Sequence, residues 1–469
     1  MRTPIADFVS EYQSSGASRF HMPGHKGKPI LGAEPWDITE IDGADVLYSA
    51  DGIIKESEDL ASSLFHTAHT FYSAEGSSLA IKAMLALAVQ QSGNSERPMI
   101  LAARNAHKAF LYGAALLDVE VEWIYPEPFE HLCACEITAD ILRAHLQNTQ
   151  KKPCAVYITS PDYLGHLADV RSLSEVCREF DVPLLVDNAH GAYLNFLSPS
   201  LHPIALGAWA CCDSAHKTLP VLTGGAYLHI SKNAPPSFTD GARNALALFA
   251  STSPSYLILQ SLDLCNRYLS DGYPEKLRSC IQKVGEIKEK MRTQGFIPEA
   301  SEPLKIVLRT AKYGYTGEEF CSHLKQFQII PEFYDSEYLV LMVTPENTAL
   351  DFDRLSLAFT CLSPKDALIQ TSYPPQKATP LLSVRKAMLS QQEIVPIEKA
   401  EGRICASPTV SCPPAVPIVI SGELITRNAV ELFRLYGVKA VAFIKNQYRN
   451  PPISRKRRYF LSLQSLRFL

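Results

Sequence analysis

The segment 213–218 (DSAHKT) places a lysine among small hydroxyl residues and a histidine. Thirty residues before Lys217, the apolar run LLV ends in Asp187, which predicts a buried strand that delivers a carboxylate. This combination is the layout that pyridoxal 5′-phosphate (PLP) chemistry requires. We expect Lys217 to form a Schiff base with the aldehyde of PLP. We expect Asp187 to keep the pyridinium nitrogen protonated, so that the ring accepts electrons.

A phosphate group is bound best by hydroxyl groups and by backbone N–H groups at the start of a helix. Gly76, Ser77 and Ser78 stand before an apolar helical run at 79–89 and supply these features. Glycine allows a close approach, and the helix N-terminus carries a partial positive charge. Serine before an apolar helix is also a common N-cap, so the motif alone has an ordinary structural alternative. Beside Lys217, the phosphate interpretation is favoured.

The elements that must position these residues follow from the alternation of patterns. Residues 50–292 alternate helical patterns with short apolar runs such as 155–159 and 182–186, which is typical of a mainly parallel sheet covered by helices. Later units such as 304–308 and 338–343 indicate a smaller α+β domain. The predicted fold class is therefore α/β, with an N-terminal arm (1–49), a PLP-binding major domain (50–292), a C-terminal α+β region (293–445) and a basic tail (446–469).

Several further motifs occur in one order along the chain. They are FHMPGHKG at 20–27, EGSS at 75–78, RNAHK at 104–108, TSPDYLG at 159–165 and EGRI at 401–404. With the lysine motif, they make the chain resemble the fold-type I ornithine/lysine/arginine decarboxylases, particularly their short bacterial branch. The resemblance implies a PLP-dependent decarboxylase that converts arginine, lysine or ornithine to the corresponding polyamine or diamine. It also implies a homodimer or a larger homo-oligomer.

The resemblance assigns roles to further residues. His107 matches the family histidine that stacks on the pyridine ring, although a histidine on a helix face with a local hydrogen bond is the ordinary alternative. Ser214 and His216 complete the phosphate site in the family. His190 is interpreted as a residue that orients Asp187 or lies near the ring.

The chain departs from the family at three positions. Asp162 stands where the family has threonine, Asn188 where it has glutamate, and Tyr193 where it has histidine. All three lie near the ring or its rim, so the resemblance specifies the cofactor more firmly than the substrate.

A basic substrate calls for a carboxylate that pairs with its distal ammonium or guanidinium group. The candidates are Glu40, Asp42, Asp45, Glu346 and Glu423. Each has the alternative of being a solvated surface acid or a helix cap. The sequence does not rank them.

Two other function classes stay open on the sequence alone. An aminotransferase or a lyase uses the same scaffold and would form different products. A non-catalytic PLP-fold protein that acts through binding is favoured only by Asp162 and Asn188, and the intact Lys217 and Asp187 argue against it.

Composition limits the remaining possibilities. The chain has 469 residues, a net charge of −4 and 20% charged residues, which predicts neither a nucleic-acid nor a membrane partner. The N-terminal residues 1–13 lack an apolar leader, so we expect a cytoplasmic protein. Its 12 cysteines are then expected to be reduced.

No metal site is predicted. The cysteines at 133, 135, 211 and 212 lack the paired CxxC spacing of zinc sites. His21 and His25 have the spacing of a helical metal pair, but Pro23 and Gly24 between them break the helix. The tail after residue 445 is basic and has no acid, and a run of this kind is usually solvated.

Overall fold

The computed structural model describes residues 1–93, 97–129, 131–299, 301–368, 374–410 and 416–445. The chain forms two compact units, of which the first comprises Met1–Pro375 with Val410–Pro417 and the second Gln376–Thr409 with Ile418–Leu469. The basic tail predicted at 446–469 lies outside the described residues. The predicted boundaries near residues 50 and 292 stay predictions.

The first unit contains most of the secondary structure. Its helices are α1 (Pro4–Ser14), α2 (Ile53–Phe65), α3 (Ser77–Gln91), α4 (Lys108–Leu116), α5 (Ala139–Asn148), α6 (Val170–Glu179), α7 (Ala215–Thr218), α8 (Pro236–Ala247), α9 (Tyr256–Ser270), α10 (Tyr273–Thr293), α11 (Gly317–Gln326) and α12 (Ala349–Thr360). Its strands are β1 (His69–Ser73), β2 (Met99–Ala103), β3 (Glu120–Ile124), β4 (Ala155–Thr159), β5 (Leu184–Asp187), β6 (Ala210–Asp213), β7 (Ala226–Ile230), β8 (Lys305–Arg309), β9 (Phe333–Tyr334) and β10 (Tyr338–Met342).

A seven-stranded sheet in the order β1-β7-β6-β5-β4-β2-β3 organises this unit. The strands from β3 to β6 are parallel neighbours, and β7 runs antiparallel to both β6 and β1. Strands β2, β5 and β7 are buried along their whole length, as expected for a sheet that is covered on both faces. The predicted mainly parallel sheet is confirmed.

The strand directions bring the predicted site residues to one edge of this sheet. Since β1 and β6 both pair antiparallel with β7, the strands β1, β2, β4, β5 and β6 all point the same way. The residues that follow their carboxyl ends therefore meet at one edge, which is where ligands bind in open α/β sheets.

The later part of the first unit forms a three-stranded antiparallel sheet, β8-β10-β9. Helices α11 and α12 begin with capping boxes built by Thr316 with Glu319 and by Thr348 with Asp351. Reciprocal side-chain and backbone hydrogen bonds of this kind satisfy the open N–H groups of a helix start. The α+β character predicted for this part is confirmed.

The second unit is smaller. Helices α13 (Val384–Met388) and α14 (Arg427–Leu435) accompany strands β11 (Gln392–Pro396) and β14 (Ala440–Ile444), which pair antiparallel. Two short strands, β12 (Thr409–Val410) and β13 (Pro417–Val419), lie where the chain passes between the units. No helix in the described part of the chain is long and apolar enough to cross a membrane.

Candidate active site

Lys217 lies in the one-turn helix α7, directly after β6. The last residue of β6, Asp213, is fully buried and holds this turn in place. Its carboxylate accepts hydrogen bonds from His202 (3.0 Å), His229 (3.1 Å) and the amide of Asn188 (2.7 Å). A buried charge needs several partners of this kind, so these contacts fix the residue from which the lysine segment starts.

The amino group of Lys217 lies 3.0 Å from Nε2 of His190. His190 is 6% exposed, and its Nδ1 is buried with no hydrogen-bond partner among the described residues. The described hydrogen bond of His190 goes to the lysine, and its predicted role, orienting Asp187 or lying near the ring, stays a prediction. Burial lowers the pKa of Lys217, which favours the neutral amine that a nucleophile requires.

Asp187 ends strand β5, next to β6 in the sheet, and is 2% exposed. Its carboxylate accepts hydrogen bonds from the phenol of Tyr157 (3.1 Å), the backbone N–H of Ala189 (3.2 Å) and the thiol of Cys212 (3.5 Å). These contacts hold the carboxylate at the edge of the sheet. A carboxylate there is the partner that a protonated pyridinium nitrogen needs.

The predicted phosphate site lies at the start of α3. Gly76 has φ of +72°, and the nearest atom to a Cβ built there is the backbone nitrogen of Ser78, at 4.0 Å. Ser214, which follows β6, donates a 2.8 Å hydrogen bond to Ser77, the first residue of α3, so the structure brings together two serines that are distant in sequence. Ser78 is exposed. Open space above a glycine at a helix N-terminus suits an anion.

His107 is the N-cap of α4, and its Nδ1 accepts a 3.1 Å hydrogen bond from the backbone N–H of Ala109. The neutral ring therefore carries its proton on Nε2. Burial lowers the pKa of His107 to about 4, while Asp187 opposes this shift and Lys217 adds to it. The residues are thus close enough to interact, and His107 is neutral near pH 7.

His216 takes part less directly. Its Nδ1 lies 3.0 Å from the carbonyl oxygen of Gly225, and burial lowers its pKa. It stands one residue before Lys217, at the edge of the sheet that carries the other candidates. Its phosphate role stays a prediction.

Residues that the sequence analysis did not select also lie near Lys217. The phenol of Tyr163 donates a 3.0 Å hydrogen bond to Glu332, and its ring meets His190 edge-on at 5.3 Å. Both Glu332 and the buried Lys305 act electrostatically on the amino group of Lys217. Tyr163 lies in the TSPDYLG motif and was within reach of sequence reasoning, whereas nothing in the local sequence singles out Glu332 or Lys305.

The acids proposed for substrate recognition have different surroundings. The carboxylate of Asp45 accepts backbone hydrogen bonds from residues 46, 51, 52 and 54, so it shapes the start of α2. Glu423 is buried in the second unit and accepts from the backbone of Ile420. Glu346 accepts from the phenol of Tyr268. Glu40 and Asp42 are exposed in the arm.

The family departures are structural neighbours of the site. Asp162 is 4% exposed and bonds both the backbone and the ring of His166. Asn188 bonds Asp213, as described above. The phenol of Tyr193 donates to the buried Glu302.

One group of side chains resembles a metal site. Among the described residues, ligand atoms of His202, Cys211 and Asp213 lie within 4.8 Å of one another. Hydrogen bonds of His202 to the carboxylate of Asp213 and to the thiol of Cys211 account for this grouping. The absence of a metal stays a prediction.

The arrangement fits PLP on its own terms. A buried carboxylate, a lysine with a lowered pKa and an open helix N-terminus lie at the carboxyl edge of one sheet. Two buried polar atoms there, Nδ1 of His190 and Oγ1 of Thr218, have no partner among the described residues, and buried polar atoms usually bind something. The fold and the site define the class of fold-type I PLP-dependent enzymes.

Comparisons with known proteins specify the family. The description "Orn/Lys/Arg decarboxylase, major domain" matches residues 3–308, and "Orn/Lys/Arg decarboxylase, C-terminal domain" matches residues 365–442. The chain belongs to this family and is a PLP-dependent amino-acid decarboxylase. The resemblance stated from the motifs is therefore confirmed.

The sequences of two relatives align with nearly the whole chain. An arginine decarboxylase of Bacillus subtilis is 29% identical and covers 91% of this chain and 92% of the relative. The uncharacterized protein YaaO of the same organism is 28% identical, with 94% and 95% covered. The Francisella novicida lysine decarboxylase LdcF has a similar fold, with a TM-score of 0.75 at 16% identity over 94% of this chain and 81% of that one.

Proposed function

We propose that the protein decarboxylates a basic amino acid, namely arginine, lysine or ornithine, to the corresponding polyamine or diamine. The observation that carries the proposal is that Lys217 and Asp187 lie at one edge of the sheet, while an acidic side chain, Glu332, is connected to Lys217 through Tyr163 and His190. Arginine is the first substrate to test, because curated relatives are named arginine decarboxylase.

The proposed roles follow from the chemistry of each side chain. PLP, when bound, supplies a conjugated ring that accepts the electron pair of the broken bond between Cα and the carboxylate. Lys217 holds the cofactor aldehyde, and its amino group is placed to return a proton to Cα or to release the product. Asp187 holds the proton on the pyridinium nitrogen, and His107 covers one face of the ring.

The phosphate is proposed to bind at the start of α3, where Gly76, Ser77 and Ser78 supply backbone N–H groups and hydroxyls. Ser214 already bonds Ser77 and would complete this set. His216 lies on the adjoining turn.

Glu332 is proposed to pair with the distal cation of the substrate. Glu332 is exposed, so an incoming group can reach its carboxylate. Its hydrogen bond to Tyr163 fixes one carboxylate oxygen and leaves the other for an ammonium or guanidinium donor. Tyr163, which bonds Glu332, also packs edge-on against His190, the residue that contacts Lys217, and this chain of contacts supports a shared ligand.

CO2 release by purified holoenzyme with arginine, lysine and ornithine tests the proposal. A charge-assisted hydrogen bond contributes roughly 1.5–3 kcal/mol, so Glu332→Gln should lower kcat/KM about tenfold to 150-fold. Glu346→Gln, which removes an exposed carboxylate bonded to another tyrosine, should leave it unchanged. Formation of a keto acid without CO2 would instead indicate an aminotransferase.

The site of attachment has its own test. Borohydride reduction of the holoenzyme, followed by peptide mapping, should place the pyridoxyl group on Lys217. A label on Lys26 or Lys108 would refute the assignment.

We also propose that the protein forms a homodimer or a larger homo-oligomer, because the N-terminal arm exposes apolar side chains. Its apolar side chains Phe20, Met22, Ile30 and Leu31 are 66–97% exposed in the single chain, and such a cluster is typical of a surface that a partner covers. A cytoplasmic location and a role in polyamine synthesis are proposed with it.

A further inference from the structure

Lys305, at the start of β8, is only 1% exposed. Its ammonium lies 3.1 Å from the equally buried carboxylate of Glu302 and donates a 3.1 Å hydrogen bond to the carbonyl of Asp162. The phenol of Tyr193 donates to the other oxygen of Glu302. A buried ion pair adds little to stability compared with apolar side chains, because desolvation offsets the attraction. The pair therefore calls for another explanation.

The segment 301–305 packs tightly on the turn that follows β4. Gly165 in this turn has φ of +85°, and a Cβ there would lie 2.9 Å from the side chain of Ser301 and 3.2 Å from that of Lys305. The backbone N–H of Glu302 donates a 2.7 Å hydrogen bond to the carbonyl of Gly165. The segment thus fixes the turn that carries Tyr163.

Tyr163 connects this turn to the reacting lysine. The ammonium of Lys305 lies 5.8 Å from the centre of the Tyr163 ring. That ring lies 5.3 Å from the ring of His190 at an interplanar angle of 79°. Nε2 of His190 lies 3.0 Å from the amino group of Lys217. The contacts are continuous from Lys305 to the nitrogen of Lys217.

We propose that Lys305 and Glu302 are positioning residues that hold Tyr163 against His190 and thereby keep the amino group of Lys217 in its reactive, neutral form. The proposal rests on the attachment role of Lys217 proposed above. Held edge-on by Tyr163, the imidazole of His190 keeps Nε2 directed at the lysine, where its Nε2–H tautomer would donate a hydrogen bond to the lone pair of the neutral amine and so favour that form. The positive charge of Lys305 disfavours protonation of the amino group of Lys217.

The electrostatics agree with this geometry. Burial is the main cause that lowers the pKa of Lys217, Asp187 opposes it and Lys305 adds to it. The charged and titratable groups that act on Lys217 or on His190 are Asp187, Glu332, Cys212, Lys305, His107 and His216. Removing the Lys305 cation should therefore raise the pKa of Lys217 and reduce its neutral fraction at pH 7.

Cofactor-free protein tests the proposal without turnover. The rate of reductive methylation of Lys217, followed by peptide mapping from pH 6 to pH 10, reports the pKa of its amine. The variant is Lys305→Met combined with Glu302→Gln, which leaves no charge buried alone and keeps an acceptor for Tyr193. Lys288→Met is the matched control, because this partly buried lysine bonds Ser301 of the same segment.

We expect the double variant to methylate Lys217 at least about threefold more slowly at pH 7, which corresponds to a rise of about half a pKa unit. Lys288→Met should behave as wild type. Tyr163→Phe keeps the ring and should also behave as wild type, whereas Tyr163→Ala should reproduce the double variant. Circular dichroism checks that each variant folds. If the double variant does not fold, the comparison of Tyr163→Ala with Tyr163→Phe tests the proposal instead.

Wild-type rates in Tyr163→Ala and in a folded double variant would overturn the positioning role. The labelling experiment described above distinguishes this failure from that of the proposed function. A pyridoxyl label on Lys217 with unchanged methylation rates refutes only the positioning role. A label elsewhere refutes the role of Lys217 itself.

Discussion

At the scale of single residues, a substitution of Asp187 tests catalysis separately from cofactor binding. Asp187→Asn keeps the size of the side chain but removes the charge that holds the pyridinium proton. Removing one partner of a buried charge pair costs on the order of 2–5 kcal/mol, so kcat should fall roughly thirty-fold to several thousand-fold. Steady-state CO2 release and bound PLP should be measured together, because some cofactor should remain.

Tyr157→Phe is the matched control for Asp187. It removes the hydrogen bond that the phenol donates to the carboxylate and leaves the charge in place. A hydrogen bond to a charged group is worth about 1.5–3 kcal/mol, so we expect a loss smaller than that of Asp187→Asn and at most about 150-fold. Turnover of Asp187→Asn within threefold of wild type would mean that this carboxylate does not serve the ring nitrogen.

His107 and His166 should give opposite pH dependences of stability. The pKa of His107 is lowered to about 4, so between about pH 4 and its ordinary value near 6.5 the unfolded chain binds the additional proton. Stability is therefore lost as the pH falls through this window, by at most about 1.4 kcal/mol per pH unit. His107→Phe should reduce that slope in urea unfolding.

The pKa of His166 is raised by its hydrogen bond to Asp162. This bond stabilises the fold at low pH, and the contribution is lost as the pH rises through the folded pKa. His166→Asn should therefore lower stability most on the acidic side. Equal slopes in both variants and the wild type would contradict both assignments.

At the scale of elements, helix α3 offers a test of the phosphate site with an internal control. Gly76 stands at its start and Gly93 shortly after its end, both with positive φ, +72° and +74°. Alanine should cost about 1–2 kcal/mol through backbone strain at Gly93 and on the order of 1–3 kcal/mol at Gly76, whose ψ of 179° lies in a region adopted almost only by glycine. Only Gly76→Ala places a methyl group where the phosphate is proposed to bind. PLP retention in dialysis should therefore fall for Gly76→Ala alone, and equal retention would contradict the site.

At the scale of the whole molecule, the exposed arm should determine assembly. Leu31 is 93% exposed, so Leu31→Asp should not disturb the single chain. If a symmetric partner covers it, two such substitutions per dimer should weaken association by at least about 100-fold. Sedimentation velocity should show a shift toward monomer. Ile297→Asp, at another surface position that is 64% exposed, should leave assembly unchanged, and a wild-type monomer would refute the proposal.

The sequence determined the features that depend on local order along the chain. The apolar runs at 155–159 and at 182–186, the second followed by Asp187, predicted two strands of a mainly parallel sheet, and parallel strands bring their carboxyl ends to one edge. The start of α3 was evident because glycine and serine before an apolar helix have a local signature. The family motifs then specified the cofactor.

Only the tertiary structure decided which side chains surround the lysine. His190 bonds Lys217, and Glu332 and Lys305 come from segments more than eighty residues further along the chain. Asp45 has a carboxylate that could bind a basic substrate, yet its oxygens accept hydrogen bonds from nearby backbone N–H groups. Periodicity reports which face of an element is buried, but not what lies opposite that face. That partner depends on how distant segments pack, and a single sequence does not encode it in any local pattern.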